Sequence, residues 1–174
     1  LYLGRVVIIV FSIIVLSGCS LSIEEASEKT LNAVEQSLSE ENNEANEKSG
    51  QISYYLPPQY TVDSESNNNI VLTYKDQTFI LFVNPYEQKD SEVLYQSTVE
   101  SYDSPEVTES FSNEGEFGYV IIDEIDNNED ELYEITVGVG GVKMTTVTNT
   151  NNMEESANVM MDVVSSVIVE ELGN

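Results

Sequence analysis

The chain has no histidine, no tryptophan and a single cysteine, Cys19, among 174 residues. Without histidine, imidazole general-base chemistry is excluded, and with it the Ser-His-Asp and Cys-His nucleophile systems. Zinc centres built from histidine and cysteine are excluded for the same reason. One cysteine allows no disulfide within the chain. Basic residues are scarce: Lys+Arg number 6 against 32 Asp+Glu, giving a formal net charge of −26. A surface of that sign repels nucleic-acid phosphates and anionic lipid headgroups alike, so nucleic acid is not an expected partner. The charge itself leaves two readings open. It can attract a cationic partner or a divalent ion, or it can simply keep the protein soluble and unassociated. Long apolar runs are also missing. The longest, Val6 to Leu16, has about eleven residues broken only by Ser12, short of the roughly 20 that span a bilayer as a helix.

What is present at the N-terminus is ordered like an export signal. Arg5 precedes the apolar run, and the small residues Ser17 and Gly18 separate it from Cys19. The tetrad Leu16-Ser17-Gly18-Cys19 resembles the lipobox of bacterial lipoprotein precursors. That resemblance implies a diacylglyceryl group on the Cys19 thiol and cleavage between Gly18 and Cys19. Residues 1–18 are then a signal peptide, and the mature chain is anchored on the extracytoplasmic face of the cell membrane. One acyl chain gives marginal membrane binding and two give stable anchoring, at about 0.8 kcal/mol per buried methylene. The alternatives are an uncleaved N-terminal membrane helix and an ordinary signal peptide with a chance cysteine. In the membrane-helix case Arg5 stays inside and the body still faces outward.

Beyond the leader, length and a hydrophobic content of 40% suit one folded domain. Ile23, Ser27, Leu31, Val34 and Leu38 recur at spacings of three and four, which predicts an amphipathic helix over Ile23 to Glu40. Ser22, with Glu25 three residues on, matches a capping box. Glu41 to Gly50 is polar and rich in Asn and Glu, and reads as a flexible linker, so 19–50 forms an anchored helix plus linker. The body over 51–174 is then β-rich. Strands are expected at Ile52 to Leu56 (stopped by Pro57-Pro58, with Tyr60 to Val62 as its resumption and Asp63 to Asn69 as a turn), Ile70 to Tyr74, Thr78 to Val83, Glu106 to Ser112, Phe117 to Ile125, Leu132 to Val139 and Val142 to Thr148. Gly140-Gly141 suits a tight hairpin between the last two. Ser91 to Tyr102 fits a short helix or a loop equally. A final helix is expected over Met153 to Glu170, with Ala157, Met160, Met161, Val164, Val167 and Ile168 on its apolar face and Asn152 as cap. The expected architecture is α+β: an antiparallel meander of six or seven strands covered by the C-terminal helix and preceded by the N-terminal helix and linker. The segment Tyr54-Tyr55-Leu56-Pro57-Pro58-Gln59-Tyr60, the meander and the closing helix resemble the PsbP-like fold, which implies an assembly or binding factor without catalysis.

The chemistry-bearing motifs are few. Asp126, Asn128 and Asp130 alternate like the first half of an EF-hand loop. The match then stops, because position six is Glu131 instead of glycine and position twelve is Val137 instead of glutamate. A solvated hairpin turn is the favoured reading of the run, so no metal is assigned. Gly138-Val139-Gly140-Gly141 lacks the glycine a dinucleotide fingerprint needs at Lys143, and no Gly-Lys-Ser/Thr is present. No Gly-x-Ser-x-Gly elbow occurs, and no lysine of the mature chain has serine three positions earlier. Two carboxylates can in principle hydrolyse a glycoside, but 32 acids give no way to choose a pair. Tyr54, Tyr55 and Tyr60 are the candidate binding residues, as a recognition patch or as rings packed over the sheet rim. No cofactor is expected. The sequence therefore favours a lipid-anchored accessory or binding protein of the bacterial envelope, fastened to the membrane through Cys19 and engaging an envelope protein. A carboxylate-dependent envelope hydrolase and a tether acting through the N-terminal helix are the alternatives.

Overall fold

The computed structural model describes residues 21–125 and 131–170. In chain order the elements are α1 (Ile23–Ser37), β1 (Glu47–Ser49), β2 (Ile52–Tyr54), β3 (Thr61–Glu65), β4 (Asn69–Tyr74), β5 (Gln77–Val83), α2 (Val93–Val99), β6 (Val107–Asn113), β7 (Glu116–Ile125), β8 (Leu132–Val139), β9 (Val142–Thr148), α3 (Met153–Ser166) and β10 (Ile168–Val169). The class is α+β, as the alternating strands and terminal helices require. A seven-stranded sheet runs β3-β4-β5-β9-β8-β7-β6, and every neighbouring pair is antiparallel. It consists of two meanders. The chain leaves β5, forms α2, and starts again at the far edge with β6, so that β9 returns to pair with β5.

Alternation gives the sheet two unlike faces. Ile70, Leu72, Phe79, Leu81, Met144, Ile135, Val137, Val120 and Ile122 are all buried on one side. Helix α3 lies over β8 and β9 on that side, and α1 packs against α3 and β7. Met153, Ala157, Met160, Met161 and Val164 of α3 join these strands in a single cluster that also contains Ala26, Val34 and Leu38. Helix α1 is thus part of the core. Ser22 caps it, its side chain accepting from the Glu25 amide at 3.3 Å, as the capping box predicts.

The second face is covered only in part. Over β7–β9 it meets α2, where Leu94 and Thr98 are buried and the Tyr95 ring lies 5.2 Å from that of Tyr119 and 5.5 Å from that of Phe117. Gly138 makes this possible, since a Cβ there would fall 2.2 Å from Cζ of Tyr119. Over β4 and β5 the same face is open, and Ile80 is 45% exposed. The edge strand β3 carries Asp63 and Glu65 and breaks register between Val62 and Ser64.

Three local readings change in the structure. Glu41 to Gly50 is not wholly linker: Glu47–Ser49 forms β1, paired antiparallel with β2. Backbone bonding holds it while most of its side chains face solvent, so hydropathy carries no trace of it. The last helix ends at Ser166, and Ile168–Val169 turns into a strand against β2. Ile168, expected on the helix's apolar face, is 59% exposed. Asn152 stands at the N-cap of α3 but makes no side-chain capping bond. Among the described residues no helix is long and apolar enough to cross a membrane.

Val164→Asp should abolish cooperative unfolding at ambient temperature, because an unpaired buried carboxylate costs several kcal/mol. Gly138→Ala should cost about 1–3 kcal/mol by driving a methyl group into the Tyr119 ring. Thermal and urea melts followed by circular dichroism measure both, and an unchanged Val164→Asp curve would remove α3 from the core.

Candidate functional site

Cys19 and the acidic turn residues Asp126, Asn128 and Asp130 lie outside the described residues. Among the described residues no group of three or more cysteines, aspartates or glutamates is arranged to hold a metal ion.

The three candidate tyrosines are not brought together as one patch. Tyr54 is fully buried in the core, and its hydroxyl has no hydrogen-bond partner among the described residues. Burial, reinforced by Glu47 and Glu65, pushes its phenol up to about 12. Tyr55 is half-buried, and its backbone amide donates to Ser166 Oγ at 2.8 Å. Tyr60 lies apart from both, against the β4–β5 turn. Its ring stacks on Tyr74 at 4.8 Å and 10°, and burial followed by the Tyr74 charge raises it to about 12. Lys75, in the two-residue turn between β4 and β5, places its ammonium 4.6 Å from the Tyr74 ring centroid. These rings wall a hollow of about 400 Å³ with Leu132, Asn149, Asn152 and Glu155.

A polar network ties α2 to the open side of the sheet. Tyr102 Oη donates to Glu134 at 2.5 Å. Thr136 and Thr145 share a hydroxyl bond of 2.7 Å, and Lys143 Nζ donates to Thr98 Oγ1 at 3.1 Å. Burial lowers the Lys143 pKa, with Glu134 opposing it. Thr98 in turn donates to the Leu94 carbonyl at 2.6 Å. The hydroxyls of Tyr102, Thr98, Thr136 and Thr145 are all bonded within this network, and the arrangement holds a helix in place. Glu134 faces Asp123 across β7 and β8 in register, and its carboxylate takes the Tyr102 proton donor. Of this cross-strand carboxylate pair, Glu134 is the member that joins the network.

Two concavities lie at the end where α3 finishes. One of about 510 Å³ is lined by Pro85, Tyr86, Lys89, Val142, Val167 and Val169. A second, about 600 Å³, continues beyond Tyr86 toward Ser49, Gly50 and Asn67. Tyr86 stands between them, 91% exposed. Its loop is held at many points. The Tyr86 amide donates to Asn84 Oδ1 at 3.2 Å, and the Asn84 amide to the Gly141 carbonyl at 2.8 Å. Glu87 accepts from Asn84 Nδ2, Ser91 Oγ and the Leu94 amide at 2.6, 2.7 and 3.1 Å. It thereby caps α2 from seven residues away, where Glu92 makes no side-chain cap. Gly140 has a φ of +54°, and a Cβ there would meet the Gln88 carbonyl at 2.3 Å. The loop is pressed onto the hairpin. Lys89 pins it from below, bonding Glu116 at 2.6 Å and the Ser165 carbonyl at the end of α3 at 3.2 Å. The result is a rigid ledge that presents one aromatic ring to solvent, the kind of residue that anchors protein interfaces at little entropic cost. Sequence reasoning missed Tyr86 because a single tyrosine in a polar loop has no period. The Asn-Pro-Tyr turn was its one available signal.

Burial also sets a pH limit. The phenols of Tyr54, Tyr60 and Tyr102 are raised to about 12, and that of Tyr119 is raised too, chiefly by burial. Raised phenols mean the folded chain holds protons that the unfolded chain releases near pH 10. Their contribution is complete below pH 10 and is lost as pH climbs through 12. Melting temperature should therefore fall steadily from pH 10 to 12. Tyrosinate absorbance near 295 nm, unobscured by tryptophan, should show a late fraction that ionises only on unfolding. Titration of all ten tyrosines in one step near pH 10 with the fold intact would contradict the burial.

In comparisons with known proteins, the chain matches no protein-family model and no curated protein.

Proposed function

We propose that this chain is a lipid-anchored binding protein of the bacterial envelope. Cys19 fastens it to the extracytoplasmic face of the cell membrane, and the Tyr86 ledge meets an envelope protein, without catalysis. The observation that supports binding is the ledge itself, an aromatic ring 91% exposed on a loop clamped to the Gly140–Gly141 hairpin, to α2 and to the end of α3. Pre-ordering of this kind lowers the entropic cost of association. The anchor is supported by Leu16-Ser17-Gly18-Cys19 behind its short apolar run. Charge supports the choice of partner. The ledge is where two of the lysines are neutralised, Lys48 with Glu170 and Lys89 with Glu116, both at 2.6 Å. Two of the carboxylates that border the ledge are therefore paired before a partner arrives.

Mass spectrometry of the native protein should find Cys19 as an acylated N-terminus. Cys19→Ser should leave the precursor uncut and unacylated, and a native chain with an intact leader and no acyl group would refute the anchor. Crosslinking in intact cells from a probe at Gln88, beside Tyr86 on the ledge, should capture a partner. Tyr86→Ala should lower that capture at least tenfold while changing stability by no more than about 0.5 kcal/mol, as for other surface positions. Undiminished capture by Tyr86→Ala would refute the ledge.

A further inference from the structure

We infer that the opposite end of the domain, the hollow walled by Tyr60, Tyr74 and Lys75, rests on the zwitterionic headgroup layer of the bilayer that holds Cys19. The inference rests on the lipid-anchor reading and adds an orientation to it.

The first argument is covalent reach. Leu21 is already docked on the body: its amide donates to Asn151 Oδ1 at 3.2 Å, and its side chain packs against the core. Asn151 is held in turn by Asn149, whose Oδ1 accepts from the Asn151 amide at 3.1 Å. Asn149 and Asn152 line the hollow beside Tyr60 and Tyr74. Cys19 precedes Leu21 by two residues, which extend at most about 7 Å. A headgroup layer is itself on the order of 5–8 Å thick, half the difference between the whole bilayer and its hydrocarbon core. An acyl group seated in the hydrocarbon therefore leaves no room for this end to stand clear of the headgroups. Because α1 begins at Ile23 and is buried against α3, no slack is available before the body starts.

The second argument is chemical. Tyr60 and Tyr74 offer stacked amphipathic rings of the type enriched at membrane interfaces. Lys75 and the carboxylates of Asp76 and Glu155 line the same hollow. That set matches a headgroup carrying both signs: the ammonium can pair with a phosphate, and the carboxylates and ring faces with a quaternary amine. It does not match an anionic surface, which the overall charge of −26 repels. The same geometry turns the Tyr86 ledge outward. Strand β9 and helix α3 run in opposite directions between the two ends. Val142 and Val167 line the ledge hollow, and Thr148 and Asn152 the other.

Acylated full-length protein in phosphatidylcholine vesicles tests this. Cys19 is consumed by acylation, so a thiol introduced elsewhere is unique. Asp76→Cys, with Asn152→Cys as a second reporter at the same end, should react with a membrane-impermeant maleimide at least tenfold more slowly on vesicles than after detergent release. Tyr86→Cys should react at the same rate in both. Equal vesicle and detergent rates at positions 76 and 152, with acylation of Cys19 confirmed by mass, would overturn the orientation and leave the anchor standing. A chain without acyl groups would overturn both.

Discussion

The fold depends on α3 as a shared wall. Its apolar side is buried against β8 and β9, its flank receives α1, and its C-terminal residues hold the chain ends that surround the ledge. Ser166 accepts the Tyr55 amide, and the Ser165 carbonyl accepts Lys89. A sheet with one apolar face needs a cover of this kind. Here the cover also sets where the loops stand. The three methionines on its buried side, Met153, Met160 and Met161, adapt to the irregular gap between a twisted sheet and two parallel helices.

Positive charge is so scarce that each lysine has a recognisable structural position. Lys29 pairs with Glu25 one helical turn away at 3.1 Å, and Lys48 and Lys89 make tighter pairs at the ledge. Lys75 lies over an aromatic ring and Lys143 over a threonine hydroxyl. The exposed pairs contribute little one by one. In a chain with so many acids they matter by lowering self-repulsion locally, which is where loops from distant parts of the sequence come together.

Legibility in the sequence followed side-chain periodicity. Leu132–Val139 and Val142–Thr148 were readable to the residue, because two β-branched-rich runs flank a Gly-Gly pair that suits a tight hairpin. The capping box of α1 was readable for a similar reason. Elements held by other means were not. Strand β1 is three polar residues whose only structural signal is backbone pairing. The end of α3 was read too late because Val167 and Ile168 continue the helical period while the backbone has already turned extended. Helix α2 was ambiguous because its cap is a carboxylate outside it, Glu87. The site suffered most. Tyr54 is buried in the core while Tyr60 walls a hollow with Tyr74, and the ledge is assembled from residues 51, 84–89, 139, 141, 142, 167, 169 and 170. No linear motif can encode such a composite.

The outer border of the sheet has a consequence for crowding. Strand β3 breaks register between Val62 and Ser64, and its Asp63 and Glu65 face solvent. An unpaired border of that shape, bent and negatively charged, gives a neighbouring copy neither a straight row of amides nor a neutral approach. Molecules confined to a plane collide far more often than molecules in free solution. Under the proposed anchor, this frayed hem favours lateral diffusion over fibril growth.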